Sequence, residues 1–147
     1  NKGRTIKSRK RKEMIEEQLS EKSIRFLTEN ININLQALRP KLWVEFSRLT
    51  FVNNEMTERA TMDFNLRFSY GDKELRFPEI AIAEIKQDKF SVKSAAISAL
   101  RAEKIREGNM SKYSIGAALM FTELKQNNFK EKILTIHKLQ KNGIFRD

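Results

Sequence analysis

Ionic residues fall on alternating, same-side positions in several extended stretches of this 147-residue chain. Lys7, Arg9 and Arg11 alternate in the opening segment. Arg48 stands in the strand-like run KLWVEFSRLTFV at 41–52, Arg59, Asp63 and Arg67 alternate in ERATMDFNLRFSY at 58–70, and Glu84 shares a face with Lys86 in IAIAEIKQ at 80–87. Alternate side chains of a strand point to one side, so each row becomes an ionic stripe. One such stripe is the ordinary look of a solvated sheet surface. Several stripes carry more weight when their strands face a common interior, as the strands of a closed or nearly closed barrel do. A basic interior repels itself when empty and favours a multiply charged anion. Arg would grip such an anion as a planar fork and Lys as a point charge.

Composition narrows the partner. The net charge is +10, which favours polyanions: nucleic acid, anionic membrane, or free phosphates and polyphosphates. Cysteine is absent, so disulfides and thiolate metal sites are excluded, and a cytoplasmic, reducing setting is the expectation. A single histidine, His137, excludes a multi-His zinc centre, leaving a hard cation held by carboxylates and phosphate oxygens. No apolar run approaches the roughly 20 residues that span a bilayer. The chain opens at Asn1, without Met, and reads as a piece of a longer protein.

The elements that would position these residues follow from pattern. Asn1–Gly3 suggests a turn, followed by an extended basic segment from Thr5 to Lys12; a basic tail would have the same composition. Ile15, Leu19 and Phe26 keep a helical spacing within 13–28, and Pro40 stops the chain before the next strand. In 41–52, Leu42, Val44, Phe46, Arg48 and Thr50 share one face. In 58–70 the odd positions are polar and the even positions Ala60, Met62, Phe64, Leu66 and Phe68 are apolar, which predicts a core face backed by a water-facing or cavity-facing one. Arg67 then falls on the same face as Arg59. Gly71-Asp72 turns the chain into a strand at 80–87. Ser91 is positioned to cap a helix over 92–107 with Ala95, Ala96, Ala99 and Leu100 buried. Residues 110–113 read as an extended link, and two helices over 117–125 and 127–140 close the chain. The absence of repeats and linkers predicts one domain over 1–147, of α+β class.

Three strings, in this order, carry a resemblance: E-R-A-T-M-D-F-N-L-R-F at 58–68, A-E-I-K at Ala83–Lys86, and S-K-Y-S-I-G at Ser111–Gly116. With the opening N-K-G-R-T-I-K-S-R and W-V-E-F-S-R, they resemble the VTC domain, the polyphosphate polymerase module of the triphosphate tunnel metalloenzyme superfamily. Each string is short, but their order and spacing across most of the chain make the combination specific. The resemblance implies antiparallel strands forming all or part of a triphosphate-tunnel barrel with flanking helices, the strands that open the tunnel lying before Asn1. It implies phosphate-binding roles for Lys7, Arg9, Arg48, Arg59, Arg67, Lys86, Ser111 and Lys112. Glu84 matches the acidic position that would hold Mn²⁺ or Mg²⁺.

The implied ligands are triphosphate, polyphosphate or nucleoside triphosphate, and the implied activity of the complete domain is metal-dependent polyphosphate synthesis. No residue matches a protein nucleophile, because phosphoryl transfer of this kind rests on positioning and charge neutralisation. A non-catalytic sensor of polyphosphate, inositol phosphate or nucleotide is the alternative. Nucleic acid is disfavoured, since no helix carries a basic recognition face and the aromatics occupy apolar strand faces. The sequence leaves a membrane partner and the oligomeric state open. Plain alternatives also stand beside each residue: Glu84 and Lys86 as a surface ion pair, Lys112 as an ordinary surface lysine, Trp43 and the phenylalanines as packing, and His137 as structural or solvent-facing.

Overall fold

A computed structural model describes residues 7–92 and 94–143. The chain divides into two compact units, Asn1–Lys41 and Leu42–Asp147.

In the first unit, residues 7–12 carry no regular secondary structure, which corrects the expected basic strand; the expected turn at Asn1–Gly3 lies outside the described residues. Alternating Lys and Arg give a strand no apolar side to bury, so the pattern alone cannot hold one in place. The helix α1 spans Glu21–Asn30 and begins later than its periodicity suggested. Ser20 is its N-cap, accepting from the Ser23 amide, and the Glu16 carboxylate binds the Ser20 and Ser23 hydroxyls and the Lys12 ammonium. Those bonds hold the Glu16 carboxyl down at about 2, the Lys12 contact contributing most. The stretch before Ser20 is therefore a capping arrangement rather than helix.

The second unit is built on one antiparallel sheet. Its strands are β1 (Trp43–Val52), β2 (Glu58–Tyr70), β3 (Lys73–Phe77) and β4 (Ile82–Gln87). β1 runs along one side of β2. On the other side β3 pairs with the C-terminal part of β2, at 66–70, and β4 pairs with the N-terminal part, at 58–63. The sheet is not closed into a barrel. β3 was not expected from the sequence, being only five residues long. It is fixed by the two-residue turn at Gly71, whose φ of +54° suits glycine, and by Leu75 and Phe77 pairing with Phe68 and Leu66.

The decisive local feature is a bulge in β2. Between the Glu45–Arg67 and Ser47–Phe64 pairs, β1 advances two residues while β2 advances three. Asn65 sits there at φ +54°, a left-handed conformation that asparagine tolerates better than most side chains. One extra residue reverses the facing of everything beyond it. Thr61 and Asp63 therefore share a face with Leu66 and Phe68, and all four are buried. Ala60, Met62 and Phe64 lie on the opposite face beside Leu49 and Phe51, where Leu49, Phe51 and Met62 are exposed. The expected alternation of an all-polar row against an all-apolar row is corrected accordingly. Arg67 moves to the face opposite Arg59.

The core covers the half of the sheet beyond the bulge. Leu66, Phe68, Phe77, Ile80, Ile115, Met120 and Ile136 form it, with Leu42, Val44, Leu75 and Ile82 packed around them. Helix α2 spans Ala95–Ala102, capped by Ser94 rather than Ser91; of the expected stripe Ala96 and Leu100 are half-buried, joined by Ile97, while Ala95 and Ala99 are exposed. Helix α3 spans Lys112–Met120, so the segment expected as an extended link is the start of a helix. The reason is local: the Ser111 hydroxyl accepts from the Ser114 amide at 3.2 Å, and the small residues Ser114, Gly116, Ala117 and Ala118 let the helix lie flat on the sheet. A Cβ on Gly116 would collide with the Phe68 ring, so glycine allows that close approach. A 3₁₀ turn at Asn127–Phe129 leads into α4, Lys130–Gly143, which supplies Ile136 to the core.

Candidate phosphate-binding face

The face that carries the core also carries the ionic residues, on the other side of the bulge. Cross-strand pairing sets them in rows: Arg48, Asp63 and Ile82; Thr50, Thr61 and Glu84; Val52, Arg59 and Lys86. Helix α3, lying over the apolar half, brings Lys112 at its first turn to the boundary between the two.

At that boundary Asp63 is 2 % exposed and is surrounded by cations. Arg48 donates Nε to Oδ1 at 2.5 Å and Nη2 to Oδ2 at 2.7 Å, a bidentate pair. Lys112 Nζ lies 2.5 Å from the same Oδ2. The Arg48 guanidinium also stands 5.1 Å from the Phe46 ring centroid, and the Lys112 ammonium 4.9 Å from it. The hydrogen bond from Arg48 holds the Asp63 carboxyl down at about 2 against the opposing effect of burial, with Lys112 adding to it. Arg48 is in turn held above its ordinary value, chiefly by the bond to Asp63, with Glu84 contributing through space.

Further along the face, Glu84 is half exposed, and Lys86 Nζ lies 3.1 Å from its Oε1, so these two residues do form the ion pair their spacing allows. Arg59 has no ion-pair partner among the described residues and is exposed. Thr61 Oγ1 is buried with no hydrogen-bond partner among the described residues. Ser111 adjoins Lys112 and spends its hydroxyl on the helix cap. The structure therefore brings Arg48, Arg59, Glu84, Lys86, Ser111 and Lys112 into one unit. It does not bring in Arg67, whose Nε pairs with Glu45 at 2.9 Å and Glu74 at 3.1 Å on the opposite face. Lys7 and Arg9 belong to the other unit and are exposed.

Sequence reasoning missed two participants. Asp63 was visible as part of a polar row, yet only the pairing of β1 with β2 and the placement of α3 show that it collects two cations. Phe46 looked like packing; its position two residues before Arg48 on the same face was the available signal.

No grouping of three or more His, Cys, Asp or Glu side chains that could hold a metal occurs among the described residues. Asp63 is buried between Arg48 and Lys112, so Glu84, half exposed beside Lys86, is the accessible carboxylate on this face among the described residues. One carboxylate fits a hard divalent ion that takes most of its ligands from phosphate and water, and it does not fit an all-protein cage.

The fold and face define a class: an antiparallel sheet that presents a row of basic side chains on one face. The family model for the VTC domain matches residues 3–121, most of the chain, and the chain belongs to that family. Its function is accordingly polyphosphate-related, and its substrates are of that kind. No curated protein and no solved structure matches the chain. No described helix is long and apolar enough to cross a membrane.

Proposed function

We propose that the basic half of this sheet face binds the nonbridging oxygens of a triphosphate or polyphosphate chain, and that the complete domain uses it for metal-dependent polyphosphate synthesis from a nucleoside triphosphate. The observation that carries this reading is the meeting of Arg48 from β1 and Lys112 from α3 at one point, on the same face as Arg59, which has no ion-pair partner among the described residues. Asp63 and Glu84 offset part of this charge, yet Arg48, Arg59, Lys86 and Lys112 outnumber them, and the excess positive charge favours an anion.

Arg48 and Lys112 would grip one phosphate and Arg59 and Lys86 the next, with Ser111 beside Lys112 as a further contact. Glu84 would hold Mn²⁺ or Mg²⁺ jointly with phosphate oxygens. Such an ion, when bound, neutralises charge on the leaving phosphates. The protein residues hold the chain in line, and the attacking group is a terminal phosphate of the growing polymer, so no protein nucleophile is required. Lys7, Arg9 and Arg67 rest on the family resemblance alone.

The test is incubation of the complete domain with ATP and Mn²⁺, reading out long phosphate chains by gel. The expected result is chain formation that Glu84→Gln abolishes with the thermal melt unchanged. Retained tripolyphosphate binding with no product removes the synthetic step and leaves a sensor. Binding of nucleic acid with no affinity for tripolyphosphate overturns the reading altogether.

A further inference from the structure

Asp63 is a buried acid at the centre of a basic face, and direct contact with phosphate gives it no role. Its carboxylate takes two of the five N–H donors of Arg48 and one of the three on Lys112. Three donors remain on Arg48 and two on Lys112, and the Arg48 Nη1 group lies on the far side of the guanidinium from the pair. The Arg48 side chain is 41 % exposed and that of Lys112 is 20 % exposed, so both cations remain open to solvent while their inner sides are held. Phe46 bounds the same two cations with its ring. Without a shared anion, two like charges from different elements would move apart.

We propose that Asp63 is a positioning residue: its carboxylate fixes Arg48 and Lys112 side by side so that their remaining N–H donors form one preorganised cradle for phosphate oxygens. This rests on the phosphate-binding reading above. A buried acid could instead be a resident counter-anion that the ligand must displace, and the two roles differ in sign. A counter-anion opposes anion binding, so removing its charge tightens binding. A positioning carboxylate favours binding in spite of its charge, so removing it weakens binding. The carboxyl is held at about 2, so it remains ionised throughout the neutral range in which a phosphate chain would bind.

The experiment is calorimetric titration of the 147-residue chain with sodium tripolyphosphate, for the wild type and for Asp63→Asn. Positioning predicts that the variant loses about 10-fold or more in affinity, the scale of one charge-assisted hydrogen bond. Unchanged or tighter binding overturns the proposal while leaving the phosphate reading intact. A wild-type chain that does not bind tripolyphosphate overturns both, and is recognised before any variant is compared. A second measurement needs no variant to fold and separates positioning from a merely structural role. The Arg48 Nε–H resonance of the wild type is followed by NMR as tripolyphosphate is added. Positioning predicts that it stays protected from exchange at saturation while Lys112 and the Arg48 Nη groups shift. Loss of that protection on ligand binding shows that Asp63 is displaced, and the proposal fails.

Discussion

The two halves of β2 are the same strand put to different uses. Beyond Asn65, Leu66 and Phe68 are flanked by β3 in the sheet, with Phe68 packed beneath α3, and both contribute to the core. Before Asn65, Arg59, Thr61 and Asp63 face the same way, yet most of their neighbours are polar or charged: Arg48, Thr50, Glu84, Lys86 and Lys112, with Val52 and Ile82 at the ends of the rows. A single inserted residue makes this division: it lets one sheet face be dry at one end and ionic at the other. The lesson is that a packed core and an ionic surface can be adjacent but separable on one strand, with Asp63 at their border.

Substitutions can pull the two halves apart. The largest effect is expected in the covered half. Phe68→Ala should destabilise the second unit by about 3–5 kcal/mol in denaturant unfolding, as a buried aromatic lost from a packed core does. In the open half, Arg59→Glu with Lys86→Glu should lower tripolyphosphate affinity by about 100-fold by calorimetry, a loss of about 3 kcal/mol in binding, with a thermal melt close to wild type. A large stability loss from that pair would mean that the ionic rows are structural. Gly116→Ala should cost about 1–3 kcal/mol, because its methyl must displace Phe68 or lift α3. Since α3 carries Lys112, that substitution should also weaken binding, and it measures how tightly the halves are coupled.

The smallest effect is one of pH. The Asp63 carboxyl lies near 3.8 when unfolded and is lowered to about 2 in the fold by Arg48 foremost. A lowered carboxyl stabilises above its unfolded value, and the contribution disappears as pH falls through the folded one. The stability difference between wild type and Asp63→Asn should therefore shrink as pH drops from about 4 to about 2, read from denaturant midpoints. A difference independent of pH over that window would show that the pair with Arg48 is not formed in solution.

Much of this arrangement is legible in the residues themselves. The β-rich composition and length of 41–52 and 58–70 give β1 and β2 nearly to the residue, and the facing of Arg48 with Phe46 follows from period two. The facing of Arg67 does not, because a bulge is a property of pairing: Asn65 is compatible with an ordinary strand position as well as with a left-handed one. β3 is too short to announce itself, and its hold comes from Leu75 and Phe77 meeting β2. At Ser111–Gly116 the six-residue string was recognised for its resemblance, while its conformation was misread. Ser111 as a cap is the overlooked local signal, and Gly116 is explained by the close approach of Phe68. The basic opening segment shows the reverse failure. Its alternation was clear, yet charge every second residue supplies no surface for a neighbour to cover.

The central claim is that phosphate binds the face shared by Arg48, Arg59, Glu84, Lys86 and Lys112. The most direct measurement is backbone amide shift mapping of the chain titrated with sodium tripolyphosphate. The account predicts perturbations concentrated at those five positions and at Asp63, with Glu45, Arg67, Glu74 and Arg76 on the opposite face unmoved. Perturbations centred on that opposite cluster, or confined to residues 7–12, would contradict it.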